Sequence, residues 1–174
     1  LIIPAKSAKR KNGRWLIWGS RYQPNNSWFA QLTFALKYEG VDLAVIRGLF
    51  NVLPVEDIIS AITSEITGSY SRRIWFFYEW LTEQILPIED VKSGNYVDAL
   101  NEKLQFGCAK SKVSRQRVNN NLPGVNGFCP LIRKTEKLVQ YIDERLNNKA
   151  TQYIGDIHGD LLARAAAFLL LSDS

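Results

Sequence analysis

The sequence has no methionine, one histidine (His158) and two cysteines, Cys108 and Cys129. A lone histidine means that any Ser–His or Cys–His catalytic pair would have to use His158, and nothing marks a nucleophile for it. Two cysteines do not make a disulfide framework, so a reduced, cytoplasmic protein is expected, with a single bridge as the alternative. No apolar run reaches the roughly 18 residues of a membrane span, so no membrane partner is expected. The opening stretch LIIPAKSAKRKNGR leads with three apolar residues, too few for a secretory signal. Neither phosphate-binding glycine pattern, Gly-x-x-x-x-Gly-Lys or Gly-x-Gly-x-x-Gly, occurs. Internal repeats and low-complexity linkers are also missing. A chain of 174 residues without methionine reads as a piece of a longer protein.

What is present is globular. Apolar residues make up 46% and charged residues 22%, and one domain of this length has enough chain for a real core. The net charge of +5 gathers in two places. Lys6, Lys9, Arg10, Lys11 and Arg14 form one cluster, and Lys103, Lys110, Lys112, Arg115 and Arg117 form another. Such clusters suit phosphate backbones, and they also suit an ordinary solvated surface.

Residues 1–27 read as an irregular or extended basic segment, with a short strand at Trp15–Trp18 closed by Gly19. Ser27 offers a cap for a helix from Trp28 to Tyr38, whose Phe29, Leu32 and Leu36 share a face and which Gly40 stops. Asp42 caps a second helix through Ile46 and Phe50. Pro54 suits the first position of a third, carrying Val55, Ile58, Ile59, Ile62 and Ile66 at helical spacing, with Gly68 as its end. A fourth helix is expected over 71–86, stopped by Pro87. Its stripe is Ile74, Phe77, Tyr78, Leu81 and Ile85, and Trp75, Phe76 and Trp80 lie outside it. Apolar character on several sides predicts a central helix. On it, Glu79 and Glu83 read as a solvated pair, and the aromatics as core. SGNYVDAL and EKLQFGCAK are expected to pair as a small hairpin, and NNNLPGVNGF to be turn throughout. A fifth helix is expected from Pro130 through Leu138, Tyr141 and Leu146, and a sixth over 160–171. The expected fold is therefore mainly α, an orthogonal bundle of about six helices with a small β element, occupying 28–174.

Gly155-Asp156-Ile157-His158-Gly159 looks like the opening of a two-metal phosphoesterase. Two cations about 3.5–4 Å apart need several carboxylate and imidazole ligands from separate loops. No second histidine exists to supply them, and the remaining residues are expected to be helical. Asp160, or Asp156, as the cap of that helix is the better reading. No metal ligand is assigned.

Several stretches together resemble the Fic family. They are LTFALKYEGVDLAVIRGLF at 32–50, RRIWFFYEWLT at 72–82, GNYVDAL at 94–100, SRQRVNNNLPGVNGFCPLIRKT at 114–135 and DLLARAAAFLLLSDS at 160–174. The resemblance implies a parent protein that transfers AMP from ATP, with Mg²⁺, to hydroxyl side chains of a protein target. The family's loop, His-x-Phe-x-Asp/Glu-Gly-Asn-Gly-Arg, supplies the base, the metal ligand and the phosphate cradle. Here His158 is followed by Gly-Asp-Leu-Leu and Gly94-Asn95 by Tyr96, so no catalytic or cofactor residue carries over. Many members also have an inhibitory helix, Ser/Thr-x-x-x-Glu-Gly/Asn, which in similar chains lies just after LLLSDS. The chain is thus expected to be a non-catalytic N-terminal helical module. Its partners would be its own catalytic domain, a protein target and possible further copies of itself. From the residues themselves, the stretch from Arg115 to Arg133 is the candidate contact surface, with Arg115, Arg117, Asn120, Asn121 and Arg133 singled out. A structural loop whose asparagines satisfy local backbone groups is the competing reading, and a nucleic-acid-binding module using the two basic clusters is the alternative of a different class.

Overall fold

The computed structural model describes residues 9–12, 15–18 and 20–146, with side chains from 21 to 144. Lys9–Asn12 (β1) and Trp15–Trp18 (β2) form an antiparallel pair in which Lys9 faces Trp18 and Asn12 faces Trp15. The expected strand at Trp15 therefore has a partner inside the basic segment. Two compact units divide the chain after Arg133.

In the first unit, the first three helices each begin where a short polar side chain or a proline marks the start. Ser27 Oγ accepts from Ala30 N at 3.2 Å and opens α1, Trp28–Tyr38. Asp42 Oδ1 accepts from Ala44 N and Val45 N, both at 3.1 Å, and opens α2, Leu43–Val52. Pro54 stands just ahead of α3, Val55–Ser64, rather than inside it, and Glu56 and Asp57 fill the first turn at the positive end of the helix. The apolar faces are the expected ones, since Leu32, Leu36, Ile46, Phe50, Ile58 and Ile62 are all buried.

Gly68 is not the end of α3. That helix ends at Ser64, where the Thr63 and Ser64 hydroxyls donate to Ile59 O and Ala61 O, each at 2.8 Å. Gly68 instead precedes α4, Ser69–Thr82. This helix is the centre of the unit. Ser71 through Tyr78 and Leu81 are buried, and α2, α3 and the sheet pack around it. It ends at Thr82, four residues short of the expected 86, with Glu83 as its cap at φ 58°. Pro87 disfavours a helical Leu86. The backbone N–H of Leu86 donates instead to Glu79 Oε1 at 3.0 Å, which turns the chain and leaves Ile85 79% exposed.

The expected hairpin does not form. Val118–Asn120 (β5) lies centrally between Val97–Asp98 (β3), which runs parallel to it, and Ser111–Val113 (β4), which runs antiparallel. The second half of the expected hairpin pairs elsewhere: Phe106 N donates to Ile132 O at 2.9 Å, and Gln105 bridges to Arg133. That bridge holds 131–133 extended, so no helix starts at Pro130. NNNLPGVNGF is accordingly strand first, then a turn at Asn126-Gly127 closed by Val125 N to Phe128 O at 3.0 Å.

In the second unit, Thr135 Oγ1 accepts from Leu138 N at 3.2 Å and opens α5, Glu136–Tyr141, which runs into a π turn over Ile142–Leu146. Among the described residues the fold is thus mainly α with a small β element, and has five α-helices where about six were expected. The sixth, with Asp156, His158 and Asp160, lies outside those residues. No helix among them is long and apolar enough to cross a membrane.

One long-range contact depends on a glycine. Gly40 has φ 95°, and a Cβ there would sit 2.7 Å from Gln105 Oε1. Gln105 is 1% exposed and pairs with both sides of Val41, accepting from its N at 2.7 Å and donating to its O at 2.8 Å. Gly40→Ala combines left-handed strain with this overlap. It is expected to destabilise the fold by about 2 kcal/mol, read from the midpoint of chemical denaturation; an unchanged midpoint would refute the assignment.

Candidate interaction surface

The five residues singled out from the sequence occupy very different places. Arg115 is drawn inward. Its Nε donates to Glu79 Oε1 at 3.2 Å, Nη1 to Asp90, and Nη2 to the Leu86 carbonyl. The guanidinium also lies over the Trp75 ring, 4.9 Å from its centroid. Asn121 is wholly buried. Its Oδ1 accepts from Leu100 N at 2.7 Å, and Nδ2 donates to Leu100 O at 3.2 Å and Glu102 Oε1 at 3.1 Å. A partner cannot touch Asn121 without opening the fold. The half-buried Asn120 accepts from Leu122 N at 3.1 Å. Arg117 sits at φ 52°, donates from Nε to Gly94 O at 2.6 Å, and covers Tyr96 at 4.8 Å. Arg133 alone of the five is exposed.

The stretch is therefore a bracket at Arg115 and Asn121, and a surface at Arg117 and Arg133. Competition decides this. Arg115 is within reach of two carboxylates and a carbonyl, and a charged donor held by such acceptors gains more than a solvated one.

Glu79 is the residue the sequence concealed. It does not belong to a solvated pair with Glu83. Its side chain is 14% exposed and accepts from Trp75 Nε1 at 2.8 Å, Leu86 N, Arg115 Nε and Gln116 Nε2. Glu83 bonds instead to Asn126 Nδ2 at 2.8 Å. The available signal was a carboxylate four residues after a tryptophan in the otherwise apolar run Ile74–Leu81, where a polar tip needs a partner. Arg72 and Arg73 were overlooked for the same reason. Both are buried and diverge from α4. Arg72 Nη1 donates to Asn95 O at 2.7 Å, while Arg73 Nε and Nη2 donate to Ala99 O at 3.1 and 2.7 Å. Burial lowers the pKa of both, and the Arg117 charge adds to the effect at Arg72.

Asp98 anchors the edge of the sheet. Burial alone raises its pKa, but hydrogen bonds from Lys110 and Asn119, with the charges of Lys110 and Arg73, outweigh burial and hold it below its ordinary 3.8. No cluster of three or more His, Cys, Asp or Glu side chains suited to a metal occurs among the described residues. No protein family, curated protein or solved structure matches the chain.

Two outcomes follow. Glu79→Ala strands several donors at once and is expected to cost about 3 kcal/mol, against less than about 0.5 kcal/mol for Arg133→Ala; equal costs in denaturation would contradict the bracket. Asp98, with its folded pKa lowered, contributes stability above pH 3.8 that disappears as pH falls through the folded value. Asp98→Asn is expected to flatten the acid limb of a stability–pH curve below about pH 4, and an unaltered limb would count against the assignment.

Proposed function

We propose that the chain is a non-catalytic helical module of a Fic-type protein, cytoplasmic and arranged as an orthogonal bundle. It packs on a catalytic domain and serves target recognition, assembly or regulation. The parent protein, on this reading, transfers AMP from ATP with Mg²⁺ to hydroxyl groups of a protein target. The supporting observation is where the resembling stretches meet. Arg72 and Arg73 from RRIWFFYEWLT hold the carbonyls of Asn95 and Ala99 in GNYVDAL. Glu79 of the same helix accepts from Arg115 and Gln116 in SRQRVNNNLPG. Stretches separated along the chain thus form one buried polar framework, as expected of a module whose resemblance lies in its architecture rather than in a reactive loop.

The nucleic-acid alternative loses two of its cations to internal bonds. Arg115 holds Glu79 and Asp90, and Lys110 holds Asp98 at 2.7 Å.

The test is to extend the protein through the residues encoded after Ser174 and supply ATP labelled at the α-phosphate with Mg²⁺ and candidate target proteins. Label is expected on target hydroxyls with the extended protein and on nothing with the 174-residue chain. A downstream sequence without the His-x-Phe-x-Asp/Glu-Gly-Asn-Gly-Arg loop would overturn the reading, as would AMP transfer by the chain alone. Nucleic-acid binding that falls steeply with salt would favour the alternative.

A further inference from the structure

An open cavity of about 330 Å³ lies against the start of α4, with Ser69, Tyr70, Arg73, Asp98, Glu102 and Lys103 in its lining. Its charges are unevenly matched. Both carboxylates are already held: Asp98 accepts from Lys110 Nζ at 2.7 Å and Asn119 Nδ2 at 2.8 Å, and Glu102 accepts from Asn121 Nδ2 at 3.1 Å and lies 3.8 Å from Lys110 Nζ. Neither cation is matched in this way. Among the described residues, no carboxylate lies within ion-pair distance of Arg73 or Lys103. Asp98 attracts Arg73 without touching it.

Arg73 is also rigidly presented. It is 6% exposed, two of its nitrogens are fixed on Ala99 O, and Tyr70 stacks 5.4 Å from the guanidinium carbon. Nη1 is left without a protein acceptor among the described residues. The helix adds to this. It has 14 residues, and Gly68 at its cap offers no side chain to the first-turn N–H groups, of which those of Ser69 and Tyr70 belong to residues of the lining and have no acidic neighbour within the turn. Glu65, beside Gly68, does not line the cavity. A buried cation, a surface cation and a helix N-terminus thus border one space whose two carboxylates share Lys110 and are hydrogen-bonded to Asn119 and Asn121.

We propose that this cavity binds a small ligand through an oxyanion, a phosphate or a carboxylate, gripped by Arg73 Nη1, Lys103 Nζ and the first turn of α4. The site is independent of the Fic-type reading. Its lining includes none of the five residues of the candidate surface, and it requires no downstream domain.

Inorganic phosphate and succinate, titrated separately into the whole chain at constant ionic strength and followed by calorimetry, test it. At least one anion is expected to bind, with Lys103→Gln weakening it roughly fivefold and Arg73→Lys weakening it further. Lys92→Gln, a surface lysine paired with Glu89, is expected to leave binding as it was. Phosphate alone or succinate alone identifies the anion, and both binding means that the site reads negative charge in general. Failure of both anions to bind, or equal weakening by Lys92→Gln and Lys103→Gln, overturns the site. If Arg73→Lys does not fold, Lys103→Gln decides the matter by itself.

Discussion

The structure depends on burying one helix that is not wholly apolar. Helix α4 is covered on nearly every side, yet it carries two arginines, a glutamate and a tryptophan N–H. A buried charge without a partner costs several kcal/mol, about as much as a small domain's entire stability can spare. The rest of the unit is arranged around this constraint. Arg72 and Arg73 point to opposite ends of one short stretch and fix the carbonyls of Asn95 and Ala99. Between those carbonyls lies β3, a strand of two residues that would not hold its place by ladder bonds alone.

Glu79 does the same at the other end of the helix. It gathers the Trp75 indole, the Leu86 amide, Arg115 and Gln116. Helix end, loop and β-turn are thereby joined at one carboxylate. Gln105 and Asn121 repeat the device without charge, each pairing by its side-chain amide with both the N–H and the C=O of one residue, Val41 and Leu100 respectively. Irregular chain is held this way where regular sheet is too short to do it.

Legibility followed the range of each interaction. The caps at Ser27 and Asp42, the stop at Gly40 and the buried stripes of α1 to α3 are local, and periodicity with short side chains exposes them. The centrality of α4 was readable because apolar residues on several sides admit no other place. The errors lie where distant residues decide. Leu86 turns away from the helix because Glu79 takes its N–H, and β5 pairs with β3 across the whole of 99–117, although its hairpin with β4 turns over 114–117 alone. Arg115 and Asn121 resembled a display of polar groups because a sequence shows donors but not the acceptors they will meet. The Arg–Asn–Pro–Gly composition of 115–133 is equally that of a contact loop and of a loop satisfying buried neighbours.

That ambiguity has a physical consequence for where function can sit. A side chain with several strong internal acceptors must give them up before it can bind a partner, so Arg115 is a poor contact residue despite its charge. Arg73 is different: its bonds all go to one carbonyl, which fixes the guanidinium plane and leaves Nη1 without a protein acceptor among the described residues, on a side chain that lines the cavity. Rigid support with unused donor capacity favours recognition, because the ordering cost is met in folding rather than in binding. Among the described residues, positive charge therefore includes arginines that close the fold and cations that no carboxylate matches. Two of the second group, Arg73 and Lys103, lie beside the N-terminus of α4, away from the loop that composition alone singles out.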